Sequence, residues 1–148
     1  MRRTSLISML VALMLTGLLL PAGTAQAQGT SSFDVAGTDA KQVASFLKSL
    51  QMSIAIDNRL KVASLFDFPL KVWIGGDTVT VKNEAEFQAR YNQIFDARLK
   101  ASIAAAKVET LVANQQGVMF DNGRVCFRPL AEHKNALKVV TINEPGPK

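Results

Sequence analysis

Val118-Met119-Phe120-Asp121-Asn122-Gly123-Arg124-Val125-Cys126-Phe127-Arg128 reads as a β-hairpin. Apolar residues alternate on both sides of Asn122-Gly123, a pair that tolerates the positive φ of a two-residue type I′ turn. So short a loop leaves one register: Asp121 faces Arg124, Phe120 faces Val125, Met119 faces Cys126 and Val118 faces Phe127. Val118, Phe120, Val125 and Phe127 then share an apolar face, while Met119, Asp121, Arg124, Cys126 and Arg128 share the other. Asp121 and Arg124 are expected to form a cross-strand ion pair. Arg128 has no such partner in this register, which makes it the first candidate to bind an anionic group.

The two-residue period extends outward from the hairpin. Residues 108–113 are expected to form a strand before it, and residues 137–142 a last strand after the polar loop at 132–135. Upstream the period is helical. Val43, Phe46, Leu47, Leu50 and Ile54 recur on one face of a first helix whose natural N-cap is Thr38 or Asp39. Asp57 opens a shorter second helix with Leu60, Ala63 and Phe66 inward, and Pro69 prevents it from continuing. Leu70, Val72 and Ile74 alternate with Lys71 and Trp73, and Gly75-Gly76-Asp77 turns into a β-branched run at 78–82. Asn83 with Glu86 starts a third helix bearing Phe87, Tyr91, Ile94 and Phe95, and Asp96 recaps a continuation through Leu99 and Ile103. The expected order is α-α-β-β-α-β-β-β-β, an α+β fold with an antiparallel sheet gathered on about three helices.

The chain has 148 residues, one cysteine, one histidine and a formal charge of +5. Residues 1–27 resemble a removable export signal: Arg2-Arg3, an uncharged run at 6–20, then Ala25-Gln26-Ala27 as a small-x-small cleavage pattern. Removal of these 27 residues from 148, two of them basic and none acidic, leaves 121 residues with a charge of +3. The domain plan is a signal at 1–27, a flexible leader at 28–37, one domain at 38–143 and a tail at 144–148. Export through the general secretory route places the domain in the periplasm or outside the cell. Were residues 1–27 retained as an anchor, the domain would still lie outside the cytoplasm. Cys126, as the lone thiol, permits no internal disulfide.

Few residues invite chemistry. His133 lies in the polar Glu132-His133-Lys134-Asn135 turn, and one His with one Cys provides no metal-ligand spacing, so no metal and no cofactor are expected. The Gly75-Gly76-Asp77-Thr78 turn lacks the spacing and lysine of a phosphate loop. Dispersed positive charge and an export signal argue against nucleic acid as a partner. Four residues are candidates for binding: Asp67 as a carboxylate beside Phe68-Pro69, Trp73 on the polar side of its strand, Tyr91 with a hydroxyl at the end of an apolar ring, and Arg128.

The order of elements, with Phe66-Asp67-Phe68-Pro69-Leu70, Asn83-Glu84-Ala85-Glu86-Phe87 running to Tyr91 and Ile94-Phe95, and Gln116-Gly117-Val118-Met119-Phe120, resembles exported bacterial members of the nuclear transport factor 2-like superfamily. That superfamily includes ketosteroid isomerases and polyketide cyclases. The resemblance implies a cone: a curved sheet wrapped on helices, a pocket at the wide end, and dimers formed through the sheet. It does not carry an activity across, because the isomerases use a tyrosine on the first helix, where this chain has Phe46 and Met52. Related dehydratases pair a His with an Asp, and His133 lies in a loop. The expected function is a non-catalytic exported domain that binds a small apolar or anionic molecule or an envelope protein, with no nucleic acid and, after signal cleavage, no membrane as partner. The alternatives are an isomerase, cyclase or dehydratase using Asp67, Tyr91 or Asp121 for proton transfer, and an immunity or inhibitor protein for an envelope-acting toxin.

Overall fold

The computed structural model describes residues 33–146. The expected signal at 1–27, its cleavage site and the start of the leader lie outside the described residues. Among those residues the chain forms four α-helices and six strands. The leader's last residues form a 3-10 turn, Phe33–Ala36, whose Phe33 and Ala36 are buried where the turn packs against the strands β3 and β4 described below.

Helix α1 (Ala40–Ala55) starts at Asp39, whose carboxylate accepts from the Gln42 amide. Its buried side carries Val43, Phe46, Leu47, Leu50 and Ile54, as the periodicity requires. Helix α2 (Arg59–Ser64) is capped by Asn58, not by Asp57, which adopts a left-handed conformation at φ 51°. That shift rotates the helix: Val62 and Ala63 face the core, Leu60 points to solvent and Phe66 begins the first strand.

Strand β1 (Phe66–Ile74) runs through Pro69. Proline is tolerated there because the ladder is interrupted: pairing with β2 (Asp77–Val81) begins at Leu70, and pairing with the last strand shifts register between Phe66 and Lys71. Helices α3 (Glu84–Ile94) and α4 (Ala97–Ala105) are separate, each with its own cap, Asn83 on the Glu86 amide and Asp96 on the Leu99 amide. The strand expected at 108–113 is a 3-10 turn, Val108–Thr110, followed by β3 (Val112–Asn114). Strands β4 (Gly117–Phe120) and β5 (Val125–Leu130) pair as expected, Val118 with Phe127, Met119 with Cys126 and Phe120 with Val125.

The sheet is mixed, not antiparallel throughout, and it is open. Its order is β2-β1-β6-β5-β4-β3, and the final strand β6 (Ala136–Ile142) lies parallel to β1 and antiparallel to β5. The helical side of the sheet is filled. Phe66, Phe68, Phe87, Tyr91 and Phe95 form a continuous set of ring contacts with centroids 4.6–6.0 Å apart, and Phe46 packs on Phe127 at 4.7 Å. The glutamine Gln51 ties α1 to α4: its Nε2 donates to the carbonyls of Ile103 and Ala106, both at 2.9 Å, so two backbone acceptors at the end of α4 have a partner.

Candidate functional site

Tyr91 is fully buried on α3, with its ring between Phe87 and Phe95 and the Arg59 guanidinium 4.5 Å above its centroid. Its hydroxyl is buried and has no hydrogen-bond partner among the described residues. Burial, with a smaller contribution from the Asp57 charge, pushes the phenol above its ordinary pKa, and Arg59 opposes the rise. Arg59 is itself held by Asp57 at 3.3 Å and by Asn92 at 3.1 Å. The tyrosine is therefore a core residue capped by a cation, with no open path to a substrate.

Asp67 follows buried Phe66 on β1, and its carboxylate lies 3.0 Å from His133 Nε2. Their side chains are 27% and 41% exposed, so the pair is reachable from solvent. His133 belongs to a 3-10 turn, Ala131–His133, between β5 and β6. The turn continues through Lys134 and Asn135, both left-handed, whose amides donate to the carbonyls of Ala131 and Leu130. A carboxylate beside an imidazole fixes the orientation of the ring, the arrangement a proton shuttle uses. Sequence reading could not find this pair because its members are 66 positions apart.

Trp73 is half-buried on β1 opposite Thr78. Arg128 is exposed on β5 opposite Lys138, whose ammonium donates to the Ser64 carbonyl. The four candidates are thus spread over the fold: Tyr91 is in the core, Asp67 is on β1 against the β5–β6 turn, Trp73 is farther along β1 and Arg128 is on β5. None of them lines the cleft between α1 and the turn before β6.

The expected ion pair of Asp121 and Arg124 forms, with Nη1 and Oδ2 at 3.8 Å, but its setting differs from an exposed cross-strand pair. Arg124 is 2% exposed and also reaches Asp96, the cap of α4, at 3.4 Å. Its Nε and Nη1 and the Asp121 Oδ2 are buried without hydrogen-bond partners among the described residues.

A cleft of about 730 Å³ opens between α1 and the turn before β6. Asp39, Lys41, Gln42 and Ser45 line it from α1 and its cap, Lys134 lines it from the turn, and Phe46 and Leu137 contribute apolar surface. Two lysines in one cleft with apolar surface suit an amphiphile with an anionic end. Among the described residues no group of three or more His, Cys, Asp or Glu side chains is gathered for a metal, and no helix is long and apolar enough to cross a membrane. Compared with protein-family models, curated proteins and solved structures, the chain matches none.

Proposed function

We propose that the chain is a non-catalytic binding domain of the nuclear transport factor 2-like type, exported to the periplasm, and that it holds a small anionic amphiphile in the cleft between α1 and the β5–β6 turn. The observation that carries this reading is the cleft itself, with Lys41 and Lys134 in its lining together with Phe46 and Leu137. The ring-filled interior supports the same reading, because it leaves the ligand an open groove and not an internal pocket. The helix pair before a two-stranded hairpin, and four strands closing the chain, support the superfamily resemblance.

Mass spectrometry of the protein purified from its native envelope tests the reading. A recurrent acidic amphiphile, lost when Lys41 and Lys134 are both changed to Glu, is the expected result. Recovery of no small molecule across several growth conditions, or recovery unaffected by the double substitution, would overturn it.

A second reading, proton-transfer catalysis, is favoured by one contact, the 3.0 Å approach of Asp67 to His133. It requires a substrate seated beside that pair. Turnover of an enolisable carbonyl substrate abolished by both Asp67→Asn and His133→Asn would establish it in place of the first.

A further inference from the structure

Three of the largest exposed hydrophobic side chains lie within nine residues at the corner between α1 and α2: Met52 at 57% exposure, Ile56 at 72% and Leu60 at 70%. Met52 and Ile56 are one helical turn apart and share a side of α1. The left-handed Asp57 then turns the chain so that Leu60, which a helix continuing the expected phase would bury, faces outward. The corner is braced from behind by the Gln51 bonds to α4 and by Asn58, whose amide donates to the Ser53 carbonyl at 2.8 Å.

Exposed lysines on three helices border these aliphatic residues. Lys48 stands one turn before Met52 on α1, Lys61 follows Leu60, and Lys100 of α4 lines a cleft of about 390 Å³ beside Ala55 and Arg59. Asp57, the acid of this corner, is paired with Arg59. A projecting aliphatic corner bordered by lysines, beside a groove whose charged lining is Lys100 and the Arg59–Asp57 pair, matches the two layers of a bilayer surface: acyl chains for the side chains and anionic phosphate headgroups for the lysines. A second copy of the chain would set the same lysines against one another.

We propose that the α1–α2 corner docks on anionic phospholipid, inserting Met52, Ile56 and Leu60 while Lys48, Lys61 and Lys100 engage headgroup phosphates. This replaces the expectation of no membrane contact after signal cleavage, and it does not depend on what occupies the cleft at α1 and the β5–β6 turn.

The test is co-sedimentation of the protein starting at Gln28, which retains every described residue and lacks the apolar run at 6–20 that would bind vesicles by itself. Expected is partition into vesicles of phosphatidylethanolamine with phosphatidylglycerol, absent from vesicles of phosphatidylcholine and weakened by salt. Each change of Lys48, Lys61 or Lys100 to Gln should weaken partition about fivefold. The triple change Met52→Ser, Ile56→Ser, Leu60→Ser should abolish it while the circular dichroism spectrum is unchanged, since all three side chains face solvent. Absence of partition into the anionic vesicles would overturn the proposal, as would partition unaltered by the triple change. So would a wild-type dimer that the triple change converts to a monomer.

Discussion

The Nη2 of Arg124 lies 3.4 Å from Oδ2 of Asp96, joining a guanidinium that is 2% exposed to a carboxylate whose other oxygen caps α4 at the Leu99 amide. Asp96→Ala removes both bonds and should lower unfolding free energy by about 1–2 kcal/mol, mostly through the cap. Asp96→Asn keeps the capping oxygen and should cost less, because Asp96 is half exposed and its charge is screened. Arg124→Met keeps the volume but leaves the buried Asp121 carboxylate oxygen without its cation, and should cost more than Asp96→Ala. Urea midpoints of the three variants provide the ranking, and a loss with Arg124→Met smaller than that with Asp96→Ala would refute it.

Tyr91→Phe should leave stability unchanged or raise it. The hydroxyl lost is buried and unpartnered, while the ring contacts with Phe87 and Phe95 and the stacking of Arg59 remain available to phenylalanine. The same variant tests the phenol's ionisation. Because the folded-state pKa is raised, the unfolded chain ionises first, and stability falls as pH rises above about 10. Thermal melts across that range should show a shallower fall for Tyr91→Phe than for wild type.

Cys126 should react slowly with thiol reagents at neutral pH. Burial pushes its thiol up, and neighbouring Arg128 only partly pulls it back. Arg128→Ala removes that opposing charge and should slow labelling further at a fixed pH below the thiol range. In linkage terms the thiol is neutral in both states below about pH 8.5; above it the unfolded chain ionises first and stability declines as pH rises. Cys126→Ala should flatten that part of the stability curve. Labelling as fast in the native protein as in denaturant would contradict the buried position.

Gly117→Ala should destabilise by at least about 2 kcal/mol. The glycine sits at φ 142°, and a Cβ there would come within 2.6 Å of the Phe127 carbonyl oxygen and 3.2 Å of the Cys126 sulfur. Calorimetric melting of the variant measures the loss, and a melting temperature equal to wild type would show that β4 and β5 can separate at this point.

What could be read in the residues is what short-range rules control. The α1 stripe from Val43 to Ile54 spans several turns, so its phase was unambiguous, and the two-residue Asn122-Gly123 loop left the β4–β5 register no freedom. Leu60 was misplaced because a six-residue helix offers too few turns to define a face, and because the cap is Asn58. Pro69 signalled a helix stop, yet the start of β1 lies before it, at a stretch with an interrupted ladder. The approach of His133 to Asp67 and the reach of Arg124 to Asp96 depend on elements brought together by the whole sheet, for which no local pattern exists. Of the four candidate binding residues, Asp67 acquired a partner, Tyr91 joined the core, and Trp73 and Arg128 stayed on separate strands.

The position of β6 between β1 and β5 bears on when the chain can fold. Without Ala136–Ile142 the remaining strands form two unconnected pieces, β2-β1 and β5-β4-β3, with Phe66 and Val72 of one deprived of Val139 and Ile142. During synthesis the staple that joins them is the last of the six described strands to emerge, so the six-stranded sheet cannot assemble before residues 136–142 are made. Until Ala136–Ile142 are free, the two pieces stay unjoined and the sheet lacks its centre.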